Sequence, residues 1–521
     1  MEDVRFRYGG HKNEIAEKEL SFFIKSFGVR LSKESNRIIF LFVYTVCILK
    51  ICYLCAVFSV KTMKNKVTAT FIFALLVVGG LLAMYWLPVW KVDGYTLRKV
   101  DLLSDLRPDP VEEELSDSDS LALPPVVKPV FIDTCKTGMT CIEDYADSTM
   151  RGMSHFYEAL AECPTLDRPV RIAYFGDSFI EGDILTADLR ALLQSRFGGC
   201  GVGYVPITSR VAGFRPTVRH TFSGWQTHAV TDSAGFKRRL QDLSNHYYIP
   251  SPGAGVTLKG LGTYADHLAS CEASSLYFVS SDSIWLTARI NQSEEPVSLA
   301  FGGDSLLQVA TVRGNIRNVE WKVEKTDSTA ICYGVTMDPS AGIVVDNFST
   351  RGSSGEQLGG IPMAMLRAYN RLRTYDLIVL QYGLNVASEG ITNYRYYTSD
   401  MVNVINRLKA AFPQASILLV SIGDRESKSE TGELRTMPGV KSLIRYQQAL
   451  AAETHIAFWN LFEAMGGEGS MVRMVESKPQ LANYDYTHIN FRGGKHLAKL
   501  LFETLIYGQE QYEKRKAYEG D

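Results

Sequence analysis

The chain has no excess of positive charge: 55 Lys and Arg stand against 57 Asp and Glu, a net charge of −2. A phosphate-backbone binder needs a basic face, so this balance argues against nucleic acid as a partner. Cysteine is scarce, with nine in 521 residues. Cys52-x-x-Cys55 has redox or metal spacing, but it lies in an apolar run without a second ligand pair. These cysteines read as small apolar residues of a helix. Gly198-Gly199-Cys200-Gly201-Val202-Gly203 follows a helical pattern and opens none, which excludes a phosphate loop in favour of a turn. Aromatic residues are not scarce, and that excludes wholesale disorder.

What is present begins with two apolar runs. The second, from Val67 to about Trp90, carries no charge and is long enough to span a bilayer. Lys61, Lys64 and Lys66 precede it, so the positive-inside rule puts its start in the cytoplasm and the rest of the chain outside. No small-x-small cleavage site follows it, so it reads as an uncleaved anchor over 63–90. The first run, Ile38 to Val60, is interrupted by Lys50, and two spans would return the body to the cytoplasmic side. Met63-Lys64-Asn65-Lys66 before an apolar run looks like a protein start, and residues 1–62 read as an upstream extension. Outside the anchor lie Cys135, Cys141, Cys163, Cys200, Cys271 and Cys332; an oxidising compartment permits disulfides, first between Cys135 and Cys141.

The length suggests roughly three domains. Residues 91–140 are acidic and proline-rich and read as an extended linker. A helix is expected between Cys141 and Cys163. The apolar run Val170-Arg171-Ile172-Ala173-Tyr174-Phe175 then stops at Gly176-Asp177-Ser178, and Leu185, Leu189, Leu192, Leu193 and Phe197 follow at helical spacing. Strand, turn and helix place Ser178 just past the carboxyl end of a strand, where open α/β sheets bind ligands.

From 211 to 340 the pattern changes to short β-rich runs punctuated by Gly, Asn, Asp and Ser, as in an antiparallel sandwich. Trp225, Tyr247, Tyr248, Tyr264, Tyr277, Trp285 and Trp321 fall in or near these runs, as core or as a sugar platform. From Ile343 strands and helices alternate again: strands at Ile343–Val345, Leu377–Leu380, Ile417–Val420 and Ile456–Phe458, helices over Leu358–Arg373 and Gly494–Leu505. Alternation predicts a parallel three-layer sheet, interrupted by the β-rich insertion between its first and second strands. The divisions are 141–210 and 341–510 for the α/β domain, 211–340 for the insertion and 511–521 for a polar tail.

A serine hydroxyl needs a base, and the base needs an orienting carboxylate. Among nine histidines only His488 has an Asp three residues before it, in Asp485-Tyr486-Thr487-His488 ahead of the last helix. The tetrahedral intermediate needs donors. Candidates are the Ser178 N–H, the Gly355 N–H with Gly352 as alternative, and the Asn385 side chain; turns and a helix cap are their structural readings.

Here the chain resembles the SGNH, or GDSL, hydrolases. Gly176-Asp177-Ser178, Gly352-Ser353-Ser354-Gly355, Gly383-Leu384-Asn385 and Asp485-Tyr486-Thr487-His488 match its four blocks, over about residues 165–210 and 340–508. Val386 departs from the pattern, since an Asp often follows that Asn. The resemblance implies a flavodoxin-like fold, a serine esterase mechanism, and neither metal nor cofactor. A β-domain between blocks one and two is similar to the layout of bacterial peptidoglycan O-acetylesterases. It implies an acetylated glycan as substrate, with Ser178 as nucleophile, His488 as base, Asp485 orienting it, and Ser178, Gly355 and Asn385 as the oxyanion hole. The expected protein is a membrane-anchored esterase, periplasmic or on the cell surface. An O-acetyltransferase, a lipase or thioesterase, and a non-catalytic envelope-binding protein are the alternatives. Asp177, displaced from the triad by Asp485, is expected to hold the nucleophile turn by hydrogen bonds.

Overall fold

Five apolar runs supply the central strands. Leu377–Gln381 and Ser416–Val420 are buried at every position. Such runs fit a parallel sheet covered on both faces. In a computed structural model they form one sheet in the order Ile343–Ser349, Val170–Gly176, Leu377–Gln381, Ser416–Val420, Ala457–Trp459, all parallel. Counted along the chain, the parallel order is 2-1-3-4-5, the flavodoxin-like order. The helices fall into two groups. Ser154–Glu162 and Thr186–Phe197 pack with Phe491–Glu519; Met363–Leu372, Arg395–Ala411 and Pro438–Glu453 pack in sequence with one another.

The structure describes residues 135–147 and 151–519, apart from 233, 234, 327, 328 and 430, and a two-residue strand pair, Lys91–Val92 with Tyr95–Thr96. The expected anchor at 63–90 and the extension at 1–62 lie outside the described residues. Among the described residues no helix is long and apolar enough to cross a membrane. A disulfide joins Cys135 and Cys141.

Four local expectations change. The helix expected from Cys141 begins at Ser154, and Glu143–Asp144 instead adds an antiparallel edge strand to Ala457–Trp459. The helix expected over Leu358–Arg373 is split: a 3₁₀ turn covers Glu356–Gly360, and the α-helix Met363–Leu372 starts after Pro362. Proline has no N–H to continue a helix, so it serves at the start of one. The last helix runs from Phe491 to Glu519, through most of the stretch expected as a polar tail. Gln509 and Gln511 are buried there, and Tyr512 lies 6.0 Å from Tyr157 of the first helix. Finally, Gly203–Pro206, before residue 211, pairs with Ile331–Asp338 of the insertion.

The insertion is a nine-stranded antiparallel body in two halves. Val218–Ala229, His246–Gly260, Asn318–Lys325, Ile284–Ile290 and Val297–Phe301 form one half. Gly203–Pro206, Ile331–Asp338, Cys271–Ser280 and Asp304–Ile316 form the other. A single register pair, Cys332 with Tyr248, connects them. Their inner faces share one buried cluster, and Trp321 Nε1 donates across it to Ser274 Oγ at 3.0 Å. That is the arrangement of a sandwich.

Two buried charge clusters tie the insertion to the α/β body. Arg373, at the end of Met363–Leu372, donates to Asp338 of the insertion at 2.5 and 2.9 Å. It also donates to Asp346 of the central sheet at 2.6 and 2.8 Å. Asp183, just after the nucleophile turn, accepts from Arg190 at 3.2 Å, Arg215 at 2.8 Å, Thr217 at 2.5 Å, Thr186 at 2.8 Å and Asn347 at 3.1 Å. Burial works to raise the Asp183 carboxyl, but Arg190 and Arg215 outweigh it and hold it far below the usual range. Removing one partner of such a buried set leaves charge uncompensated. Asp183→Asn is therefore expected to lower unfolding stability by about 3–5 kcal/mol. An unchanged urea midpoint at unchanged slope refutes this.

Candidate active site

The ends of three strands are in register. Gly176 pairs with Ser349 on one side and Gln381 on the other, so blocks one, two and three leave the sheet at one edge. This is the topological switch point, between the first strand in the chain and its two neighbours. Gly176 fits because a Cβ there would meet the Ile180 side chain at 2.9 Å and the Gln381 carbonyl at 3.0 Å. The Gly176 carbonyl accepts from Thr350 N–H at 2.9 Å, linking the nucleophile turn to block two.

The fourth block approaches from a loop. Ala482 and Ile489 bridge its base, Asn483 N–H donates to the His488 carbonyl at 2.8 Å, and Glu426 N–H donates to the Tyr486 carbonyl at 3.0 Å. Asp485 shapes the turn itself. Its Oδ1 accepts the N–H groups of Thr487 and His488, both at 3.0 Å. Its Oδ2 lies 2.8 Å from His488 Nδ1, and His488 Nε2 lies 3.0 Å from Ser178 Oγ. With Nδ1–H donated to the carboxylate, Nε2 is left to accept the serine proton. Burial works to raise the Asp485 carboxyl, but the His488 N–H, the His488 ring and the Thr487 N–H outweigh it, and the group sits below its ordinary value. It is held as the carboxylate that an orienting acid must be.

Asp177 is buried and does not touch His488 by hydrogen bond. Its Oδ1 accepts Phe179 N–H at 2.9 Å and its Oδ2 accepts Asn385 Nδ2 at 3.3 Å. It braces the nucleophile turn against block three.

The oxyanion donors differ from expectation. The Gly355 N–H is taken by Ser353 Oγ at 3.1 Å. Gly355 is glycine for another reason: its φ is +94°, and a Cβ would meet the Tyr382 ring at 2.7 Å. Gly352 has φ +77°, open space where a Cβ would stand, and no acceptor for its N–H among the described residues. Geometry thus favours Gly352 over Gly355 as the second-block donor. Asn385 Nδ2 spends its hydrogens on the Ser353 carbonyl at 2.9 Å and on Asp177. In this arrangement it positions block two and the Asp177 carboxylate. The competitor, Ser353, stands inside the motif, but only three-dimensional geometry shows what it binds.

Two residues escaped the reading of the sequence. Asn347 donates to the Ile180 carbonyl at 2.8 Å as well as to Asp183 and Thr186. Arg351 pairs with Glu181 beside the nucleophile turn. Between these segments and the insertion lies a cleft of about 510 Å³. Glu181, Thr350 and Arg351 line one wall, and Thr208, Arg210 and Phe222 of the insertion another. Of the insertion's aromatics, Tyr247, Tyr248, Tyr277 and Trp321 are buried core, whereas Trp285 is 40% exposed.

Two outcomes follow. Asp485→Asn leaves His488 free to adopt the wrong tautomer, so kcat on an acetyl ester is expected to fall by roughly 10³- to 10⁴-fold; a loss under ten-fold refutes the orienting role. Burial raises the Asp177 carboxyl from 3.8 to about 6, against the lowering effect of the Phe179 N–H and His488. Its contribution to stability is complete below the unfolded value and is lost as pH rises through the folded one. Asp177→Asn removes that titration, so between about pH 4 and pH 6 its stability is expected to fall less, or rise more, with pH than the parent's. Parallel stability curves across that window refute the assignment.

No family model matches the chain, and no curated protein sequence does. Solved structures do. A structure described as "Peptidoglycan O-acetylesterase in action, 5 min" aligns at 20% identity and TM-score 0.58, over 71% of this chain and 99% of its own. A family two carbohydrate esterase from Cellvibrio japonicus aligns at 11% identity and TM-score 0.24, over 59% of this chain and 98% of its own. A family two carbohydrate esterase from Clostridium thermocellum, in complex with cellohexaose, aligns at 11% and 0.25, over 55% and 100%. The chain shares the fold of the first of these structures, with Ser178 just past the end of its central strand.

Proposed function

We propose that this protein is an extracytoplasmic serine esterase, anchored through residues 63–90, that removes O-acetyl groups from a cell-envelope polysaccharide such as peptidoglycan. One observation carries the chemistry: Asp485, His488 and Ser178 form an unbroken chain at 2.8 and 3.0 Å. His488 Nε2 takes the hydroxyl proton as Ser178 Oγ bonds to the acetyl carbonyl carbon. The carbonyl oxygen becomes an oxyanion, held by N–H groups of the nucleophile turn and block two. When the intermediate collapses, the sugar oxygen leaves with the proton from His488, and the acetyl group stays on Ser178. A water, deprotonated by the same nitrogen, then releases acetate.

The glycan reading rests on space and on the fold. The cleft, about 510 Å³, begins at Glu181, three residues after the nucleophile, is far larger than an acetyl group needs, and carries both polar groups such as Thr208 and Arg351 and apolar ones such as Phe222. The solved structure sharing this fold over 99% of its own length is described as a peptidoglycan O-acetylesterase. The side chains of His488 and Asp485 are 38% and 50% exposed, so water reaches the base directly.

Purified chain is expected to release acetate from O-acetylated peptidoglycan. Ser178→Ala is expected to lower that rate by about 10⁴-fold or more while its circular dichroism stays that of the parent. Full activity in the folded variant rules out the mechanism. Rapid hydrolysis of simple acetyl esters without release from any acetylated envelope glycan rules out the substrate.

A further inference from the structure

Glu426 is a buried acid that takes no part in the chemistry at Ser178. The fourth strand of the sheet, Ser416–Val420, runs on past its carboxyl end into Asp424-Arg425-Glu426, and Glu426 begins a short antiparallel ladder with Leu434–Thr436. Asp424 is fully buried and Glu426 is 6% exposed. Their carboxyls come within hydrogen-bonding reach of each other.

The two acids are served unequally. Asp424 Oδ1 accepts from Arg425 N–H at 3.0 Å and Thr436 Oγ1 at 2.8 Å, and its Oδ2 from Ser470 Oγ at 3.1 Å and Met471 N–H at 2.9 Å. Four donors suit a carboxylate. Neither oxygen of the Glu426 carboxyl makes a hydrogen bond to a donor among the described residues. No cation pairs with it there either. Arg425 Nη1 donates to the Leu384 carbonyl at 2.9 Å, and Arg473 to the Gly466 and Glu468 carbonyls at 2.7 and 2.9 Å. Arg435 pairs with Glu389 and Lys441 with Glu468. On the block-four loop, Asp485 and His488 are engaged with each other. A buried carboxylate with neither donor nor cation is costly, and a second carboxylate beside it adds to the cost. A proton on Glu426 relieves both, because the neutral acid donates to Asp424. Burial first, and then the Asp424 charge, accordingly raise the Glu426 carboxyl from 4.5 to about 7; Glu468 adds to the rise and the Val472 N–H works against it.

The segment that carries this proton also holds the catalytic loops. Glu426 N–H donates to the Tyr486 carbonyl at 3.0 Å, and the Arg425 side chain holds the Leu384 carbonyl, so blocks three and four are braced together. Tyr486, between Asp485 and His488, is left-handed at φ +52°. Such a conformation costs energy and persists where the surroundings enforce it.

We propose that Glu426 is a positioning residue for His488: its neutral carboxyl, hydrogen-bonded to Asp424, keeps this segment seated against the block-four loop, and loss of the proton drives the two carboxylates apart and loosens the loop. The kinetic test of this assignment rests on the esterase reading. The direction with pH is fixed. A carboxyl raised on folding contributes stability that is complete below its unfolded value and is lost as pH rises through the folded one. The loop is therefore held below about pH 7 and loosens above it. His488 must be neutral to act as base, which gives activity its ascending limb, and Glu426 supplies the descending one.

The test uses the full chain in detergent and makes two measurements across pH. The first is kcat on p-nitrophenyl acetate, with the Ser178→Ala rate subtracted. Between about pH 7 and pH 9 the parent is expected to lose roughly ten-fold or more, and Glu426→Gln, neutral throughout, less than about two-fold. Asp177→Asn is expected to keep the parent's descending limb, which separates Glu426 from the other raised carboxyl. The second is hydrogen exchange of the backbone amides of residues 483–488, corrected for its intrinsic pH dependence. It is expected to quicken above about pH 7 in the parent and not in Glu426→Gln. A parent without a descending limb, a limb that survives in Glu426→Gln, a limb lost in Asp177→Asn, or loop exchange that is the same in parent and Glu426→Gln each overturns the proposal. A parent no faster than Ser178→Ala refutes the esterase reading instead, and the exchange then decides alone.

Discussion

The structure depends first on how one buried carboxylate is satisfied. Asp183 lies five residues after the nucleophile, with no exposed surface and a left-handed backbone at φ +64°. Burying such a charge costs several kcal/mol unless it is paired and hydrogen-bonded. Here the partners come from three places. Thr186 and Arg190 belong to the helix after the nucleophile turn, Asn347 to the strand that leads into block two, and Arg215 and Thr217 to the insertion. The stabilisation is available only when all three segments are docked. The same carboxylate thus closes the turn that presents Ser178 and fixes the insertion beside it.

That coupling explains how a long interruption between the first two strands leaves the sheet intact. The chain departs the α/β body at the turn before Gly203 and returns at Ile343, and Arg373 gathers Asp338 and Asp346 at the return point. Tyr204 N–H donates to the same Asp346 at 2.7 Å, so departure and return are fastened to one side chain. The strand ends at Gly176, Ser349 and Gln381 stay in register, which is what the catalytic geometry requires.

How much of this was legible follows from the range of the interactions involved. Ser178 and the Asp485–His488 pair were legible because each is a local signal at the end of a pattern: a buried strand that stops at a glycine, and a carboxylate one turn before a histidine. The strand alternation revealed the α/β body and the insertion for the same reason. The Gly355 assignment was not legible, because a serine two residues away captures its N–H, and only the folded turn shows it. Nor was the continuation of the last helix to Glu519, since its final turns are stabilised by Tyr157, more than 300 residues away in sequence. The first strand of the insertion was missed because Gly203–Pro206 is too short for periodicity, and its pairing with Ile331–Asp338 is set by distant partners.

The insertion now has two polar sides with different physical character. On the cleft side Arg215 is matched by Asp183, so that charge serves assembly. On the outer side Arg219 and Lys259 face each other without an anion, so the fold bears an unfavourable contact that it gains nothing from internally. Edge protection and solubility account for exposed cations in general, but neither requires two of them at one register position, one on a doubly paired strand.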